Sequence, residues 1–580
     1  NQFEDYARGD FEQLSREDGF ANYDKACGVP EEDAYVMSDE TRAAVEENVF
    51  GIYDGTKYNN DSDEMPAMGA DNGLQLADLT GKDYDDADWD KLLDQLSFED
   101  MATLINVGGW QTAEIKSVGK IATSDCDGPA GLNNFITKAF GTAYPSEVLM
   151  AQTWNKELAN EIGVSMGQEY VDADNYGWYG PAMNIHRTAF AGRNFEYYSE
   201  DSLLSGYMAA NEMNGAATKG IYPYMKHFAL NDQETNRCSF LLTFASEQTI
   251  REGYLKAFEL ATKGFEGKAM AVMSSFNWIG TVPSCANNEL LNNVLRGEWG
   301  FKGYVMSDWG AVNDRVKGLE AGLELEMPAS GGDNDAMIVK AVKDGALEEK
   351  ILDQAVERIL RIIFEYADHR KPQEFTMEKD HEEAQHIAEE SMVLLKNENH
   401  ILPLKTSEKA AFIARNPRFQ GGGSSHINCF KTTNVLDSVP CDAQVVYAEG
   451  FPADRDFYDK ALADEAVKAA AEADKAVIFA GLPESFESEG YDRSHMRLPE
   501  CQNRLITEIL KVQPNTVIVL HNGSPVEMPW INDVKGILEA YLGGQAGGAA
   551  VANILYGIVN PSGKLAETIP VKLADNPSYL

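Results

Sequence analysis

Basic residues are scarce in this chain: Lys and Arg number 49 against 93 Asp and Glu in 580 residues, a formal charge of −44. A surface so acidic repels phosphate backbones and anionic headgroups, which argues against nucleic-acid or anionic-membrane partners. A neutral small molecule suits it better. Cysteine is sparse as well, with seven at positions 27, 126, 238, 285, 429, 441 and 501. The odd count and the lack of CxxC spacing argue against a disulfide framework or a zinc ribbon. Free thiols suit a reducing or anaerobic setting. There is no run of 18 apolar residues, so no membrane span is expected. The nine histidines do not cluster at ligand spacing, and no metal or cofactor is implied. Phosphate-loop, HExxH and GxSxG motifs are missing. GGGSSH (421–426) is glycine-rich but lacks the phosphate-loop lysine, and reads as a tight loop near a domain contact. No signal peptide is visible. The chain opens on Asn1 rather than Met, so cytoplasmic and secreted locations both stay open.

What is present is enough apolar residue, 44%, for sizeable cores in two or three domains. Residues 1–90 are acidic and turn-rich, as in EEDAY, YNNDSDEMP and GKDYDDADWD, and read as a leader wrapping the next domain. Over 91–370, short buried strands at 121–125, 177–184, 222–230, 268–276 and 303–308 alternate with amphipathic helices at 89–105, 145–170, 246–264 and 347–366. Such alternation predicts a (β/α)8-type barrel. Residues 371–400 read as a linker and a helix over 381–397. Five buried strands between 410 and 542, again alternating with helices, predict a smaller and mostly parallel α/β sandwich over 401–580.

Two strand ends carry chemistry. YVMSDWGA (304–311) is a buried strand that ends on an acid, Asp308, where parallel barrels place their active sites. An acid beside the Trp309 indole suits a sugar, the ring packing on C–H groups while the carboxylate faces the anomeric carbon. The same Asp could instead cap the following helix. In KHFALNDQE (226–234), Lys226 and His227 point to opposite faces unless the strand bends. Together they would clamp hydroxyls; apart, Lys226 is an ion-pair element. Asp127, in SDCDGPAGLNN, could accept vicinal hydroxyls or merely form an Asx-turn. Arg193 and Glu196, in AGRNFEYYSED, form either a pocket pair or a buried salt bridge. The loop 481–499 carries Glu484, Glu487 and Glu489 and could supply a proton donor or remain a solvated acidic loop.

Taken together, KHFALNDQE, GRNFEYYSED, SDCDGPAGL, VMSDWGA, AGLELEMP and ESEGYDRSHMRLP resemble glycoside hydrolase family 3 β-glucosidases over roughly residues 90–580. The resemblance implies a barrel followed by an α/β sandwich, with the active site at their interface. It implies an exo-acting, retaining β-glucosidase that uses no cofactor and takes a short oligosaccharide or aryl glycoside. Asp308 is then the nucleophile and Glu489 the acid/base, with Glu487 as runner-up. Asp127, Arg193, Lys226 and His227 hold the nonreducing-end sugar, and Met273 and Trp309 wall the pocket. A β-xylosidase or dual-specificity enzyme is the nearest alternative; a catalytically impaired carbohydrate-binding protein or fragment is the alternative of another class. Three departures stand out. Phe276 replaces a tyrosine found in many members. KHFALND replaces the His-Asp loop of the N-acetylglucosaminidase branch. The sequence ends at Leu580, where many members continue into a fibronectin-like domain. The leader resembles the segment before the barrel in members whose sandwich comes first, so a rearranged, permuted or truncated chain is expected.

Overall fold

The computed structural model describes residues 2–3, 12–26, 37–50, 67–83, 86–266, 270–367, 370–373, 377–414, 418–576 and 578–579. Among the described residues, nine short strands build the first domain: Gln111–Thr112 (β1), Thr123–Cys126 (β2), Gly177–Trp178 (β3), Tyr222–Phe228 (β4), Leu242–Thr243 (β5), Ala271–Ser274 (β6), Trp278–Ile279 (β7), Val282–Pro283 (β8) and Val305–Met306 (β9). The barrel sheet runs β1-β2-β3-β4-β6-β9, and β5, β7 and β8 form a small separate sheet. Within the barrel sheet every pairing from β2 onward is parallel, whereas β1 runs antiparallel to β2. The ring closes outside the named strands. Leu325 bridges Met306, Glu326 N donates to Ile105 O (2.9 Å), Gly108 N donates to Glu326 O (3.0 Å), and Asp125 N donates to Trp110 O (2.9 Å). The domain is thus a (β/α)8-type barrel that, among the described residues, has fewer strands than a complete ring and an antiparallel start.

Three helices expected as single runs are interrupted. Ser97, in a capping box with Asp100, starts Phe98–Asn106 and separates it from Asp88–Leu93. Asn155 caps Lys156–Asp172 and divides it from Glu147–Ala151. The helix ending at Gly264 begins as a π-helical stretch, Thr249–Tyr254. Below the barrel, Trp89 of the leader meets Phe364 of the closing helix Glu349–Ala367 edge-on, ring centroids 6.4 Å apart. Phe3 is buried in the barrel core, and Asn48 donates to Thr281 O (3.0 Å). The leader's EEDAY and YNNDSDEMP runs lie outside the described residues, as do Tyr84 and Asp85 of GKDYDDADWD and most of the first eleven positions.

The sandwich is built on Val393–Asn397 (β10), Lys409–Ile413 (β11), Gln444–Ala448 (β12), Lys475–Gly481 (β13), Thr516–His521 (β14) and Gly536–Glu539 (β15). Residues 381–397 are not one helix. The helix Met377–Ser391 ends and β10 follows, antiparallel to β15 at the sheet edge. The other pairings are parallel. Side chains on β13 alternate between layers, as strand geometry requires: Ala476, Ile478 and Ala480 join one hydrophobic cluster, Val477 and Phe479 the other. Strand order is β10-β15-β14-β13-β11-β12, so the direction of winding reverses between β13 and β11. Open parallel sheets form a crevice at that point, beyond the strand ends. The loops that leave it carry GGGSSH after β11 and Glu489 after β13, and both turn toward the barrel.

Candidate active site

Ser307 and Asp308 follow β9 directly. Ser307 N donates to Leu325 O (3.0 Å), while its hydroxyl donates to Met327 O (3.1 Å) and accepts from Met327 N (2.8 Å). These bonds hold the backbone beneath Asp308. Its Oδ1 accepts the Trp309 N–H (2.7 Å). Its Oδ2 is buried with no hydrogen-bond partner among the described residues and lies 3.8 Å from His227 Nε2. Burial pushes the Asp308 carboxyl up from its ordinary value, opposed by Arg237, the Trp309 N–H and Arg193.

β4 delivers two neighbours to the same pocket. Its pairing with β6 shifts register between Met225 and Phe228, which breaks simple alternation. Lys226 Nζ reaches Asp127 Oδ1 (3.3 Å) and Glu196 Oε1 (3.5 Å). His227 is fixed by Asn184, whose Oδ1 accepts the His227 N–H (2.8 Å). Burial drives the His227 ring well below its usual value, and Arg193, Lys226 and Arg237 add to the effect, so it meets Asp308 as a neutral imidazole. Asp127 also accepts from the Trp110 indole (3.2 Å). Arg193 and Glu196 are both buried and paired through two bonds, Arg193 Nε donating to Glu196 Oε2 at 2.7 Å. Arg193 Nη1 then lies 3.5 Å from Glu489, so the pair is a salt bridge and a pocket wall at once.

Glu489 comes from the sandwich. Its Oε1 accepts from Arg237 Nη2 (2.8 Å), and its Oε2 accepts from Ser424 N and Ser424 Oγ (both 2.8 Å). Burial works against its charge, but Arg193, Arg237 and the Ser424 N–H outweigh it and hold the carboxyl far below the ordinary glutamate value. The loop is pinned to the barrel just after Glu489. Gly490 N donates to Glu234 Oε2 (2.9 Å). Asp492 accepts from the N–H groups of Gly192 (2.8 Å) and Thr235 (2.8 Å). Gly192 has to be glycine for this approach, since a Cβ there would collide with the carbonyls of Tyr491 and Ser488. Glu487 is engaged elsewhere. It is fully buried, accepts from Gly523 N and from Ser524 Oγ (2.6 Å), and pairs with Arg418 (3.2 Å). GGGSSH is the tight interdomain loop its composition suggested: Asn133 of the barrel donates to Ser424 O (3.0 Å).

Met273, buried on β6, pairs in register with Met306. Trp309 is 44% exposed and stacks on Trp110, with centroids 4.5 Å apart. Phe276 lies under the Arg237 guanidinium, 4.9 Å from ring centre to carbon. Sequence reasoning missed Arg237, Trp110, Ser424 and Asn184. Arg237 sits three residues beyond the KHFALNDQE phrase, and its signal was a lone cation next to a cluster of acids. Ser424 and Trp110 act across long sequence separations and left no local pattern. Among the described residues, no group of three or more His, Cys, Asp or Glu is placed to hold a metal ion, and no helix is long and apolar enough to cross a membrane.

The glycosyl hydrolase family 3 N-terminal domain matches residues 99–362, and the family 3 C-terminal domain matches 392–580. The chain is 45% identical over 512 residues to thermostable beta-glucosidase B of Acetivibrio thermocellus, covering 84% of this chain and 67% of that protein. It is 39% identical over 512 residues to an exo-alpha-(1->6)-L-arabinopyranosidase of Bifidobacterium longum, with the same coverage. Its fold matches beta-glucosidase 3B of Thermotoga neapolitana in complex with glucose, with a TM-score of 0.75 and 32% identity over 84% of this chain and 76% of that one. With both of its domains matched, the chain belongs to glycosyl hydrolase family 3.

Proposed function

We propose that the chain is an exo-acting, retaining β-glucosidase in which Asp308 is the nucleophile and Glu489 the acid/base. The observation that carries this reading is the state of Asp308. One of its oxygens is buried and without a hydrogen-bond partner among the described residues, and it lies 3.8 Å from His227, with Lys226 3.3 Å from Asp127 and Arg193 3.5 Å from Glu489 nearby in the same charged cluster. These side chains would saturate the hydroxyls of one sugar, which closes the pocket and makes the cut an exo one. Retention needs two carboxyl groups roughly 5–5.5 Å apart, the first attacking the anomeric carbon and the second protonating the leaving oxygen. In the next step the second carboxylate takes a proton from the attacking water.

Before a sugar binds, Arg193 and Arg237 keep Glu489 ionised. Sugar hydroxyls entering beside Arg193 draw on its guanidinium, and the bound sugar excludes water from the loop. Both effects raise the glutamate toward the range of a proton donor. Glucose and xylose differ by one CH2OH group, a small difference for a pocket to discriminate, and the arabinopyranosidase relative makes a pentopyranoside the natural comparator.

The test is nitrophenol release from 4-nitrophenyl β-glucoside, with the β-xyloside, β-galactoside and α-L-arabinopyranoside alongside, and NMR of the first-formed anomer. Expected are fastest release from the glucoside, β-glucose as first product, and loss of turnover in Asp308→Asn. Parent-rate turnover by Asp308→Asn, or α-glucose as first product, would overturn the assignment.

A further inference from the structure

We infer that Arg418 is a positioning residue for the proton-transfer part of the reaction: it fastens the two sandwich loops that hold Glu489 to each other and to the barrel. The inference rests on the β-glucosidase reading above and adds a residue to that site. Arg418 follows β11 and Glu487 follows β13, the two strands on either side of the winding reversal. Arg418 Nε donates to Gln420 O (3.1 Å), the residue before GGGSSH. Its Nη1 donates to Glu487 O (3.1 Å), two residues before Glu489, and its Nη2 lies 3.2 Å from the Glu487 carboxylate. The guanidinium also covers the Phe195 ring of the barrel, 5.2 Å from ring centre to carbon. One buried side chain thus joins three segments. A planar guanidinium suits the task, because its donors are fixed relative to one another.

Glu489 sits between the two loops. GGGSSH supplies Ser424, whose N–H and hydroxyl both donate to Glu489 Oε2 (2.8 Å), and its glycines let that loop lie close. A Cβ at Gly421 would collide with the Phe195 ring, and one at Gly423 with Glu489 itself. Without Arg418 the GGGSSH loop loses its tie to Glu487, and Ser424 can drift from Glu489. Glu487 is not stranded by that loss. Gly523 N and Ser524 Oγ still donate to it, and Arg493 donates to the same Ser524 hydroxyl (2.8 Å). The sugar-holding side chains rest on bonds within the barrel instead, Arg193 on Glu196 (2.7 Å) and Lys226 on Asp127 (3.3 Å). Loss of Arg418 therefore displaces the proton donor and leaves the nucleophile and the grip on the sugar in place.

The experiment measures kcat/KM for phenyl β-glucoside and 2,4-dinitrophenyl β-glucoside, and the inhibition constant of glucose, in the whole chain and its Arg418→Met and Arg418→Lys variants. Phenolate leaves poorly without a proton and dinitrophenolate needs none, so the phenyl-to-dinitrophenyl ratio reads the placing of the proton donor. That ratio is independent of how much of a variant is folded, whereas a merely structural loss lowers both substrates equally. Arg418→Met should lower the ratio about 10²-fold, the scale of a catalytic group displaced by about 1 Å, while the inhibition constant of glucose holds. Arg418→Lys keeps a charge for Glu487 but lacks the planar fork, and its ratio should fall between the two. A parent-like ratio in Arg418→Met, or equal losses on both glucosides (complete loss included), overturns the positioning role alone. A parent chain that cleaves neither glucoside overturns the underlying activity and the positioning role with it.

Discussion

Arg237 and Glu489 are joined at 2.8 Å across 252 residues of sequence, the arginine held by the barrel and the glutamate by the sandwich. Arg237 is also the main charge that opposes the upward push of burial on Asp308. One guanidinium therefore works on both carboxyls of the proposed reaction.

The acid side of the pH profile follows from this. As the proposed nucleophile, Asp308 must be ionised to attack, and burial holds its carboxyl above its ordinary value of about 3.9. Activity is therefore lost as pH falls through that raised value. In Arg237→Met the opposing charge is gone, the carboxyl rises further, and the acid limb of kcat/KM moves to higher pH. A pH series with 4-nitrophenyl β-glucoside checks this, and an acid limb that stays put or moves down contradicts it.

Glu489→Ala removes the proposed proton donor. Cellobiose, with a poor leaving group, should lose roughly 10²- to 10⁴-fold in kcat/KM. 2,4-Dinitrophenyl β-glucoside, whose leaving group needs no proton, should lose far less in its first step. A stopped-flow burst of dinitrophenol separates the two steps, and equal losses on both substrates would remove Glu489 from the acid role.

Gly192→Ala places a methyl group against the Tyr491 and Ser488 carbonyls. The barrel should fold and the loop around Glu489 should be pushed off it. Expected are a large fall in kcat, a near-parent circular dichroism spectrum, and faster hydrogen exchange in residues 484–493. Parent-like exchange in that segment would show that the loop docks without the close approach.

Lys226 is buried and lies within ion-pair distance of both Asp127 and Glu196. Breaking a buried pair by removing one partner costs about 3–5 kcal/mol, because a charge is left uncompensated. Lys226→Met should therefore lower the denaturation midpoint as well as glucoside binding. Chemical denaturation of parent and variant measures the cost; a loss under about 1 kcal/mol, the range of a surface pair, would mean that water replaces the lysine.

Much of this was legible in the sequence because β-strands that end in polar clusters announce themselves. Asp308 and Lys226 each sit at or near the C-terminal end of a short apolar run, whereas Asp127 follows the polar strand Thr123–Cys126 and is marked by the Gly/Pro-rich turn that carries it. Glu489 was harder. Its loop holds several acids of similar appearance, and only the fold separates Glu489, bound to Ser424 and Arg237, from Glu487, bound to Ser524 inside the sandwich. Where periodicity misled, local capping prevailed: Ser97 and Asn155 cut helices that the apolar pattern runs straight through. The reduced strand number of the barrel among the described residues was also hidden, since its closure uses backbone bonds of Ile105 and Gly108 with Glu326 and of Trp110 with Asp125, which leave no pattern of side chains.

The placing of Glu489 on the loop after β13, 181 residues beyond Asp308, has a consequence for biogenesis. On the proposed roles, a growing polypeptide completes the nucleophile long before the ribosome reaches the proton donor, so the first domain by itself holds half of the catalytic pair. On that reading, catalysis waits until the later domain has formed its sheet and docked that loop. Recovery of hydrolysis during refolding thus times the docking of the two halves, whereas the return of barrel tryptophan fluorescence times the first half alone.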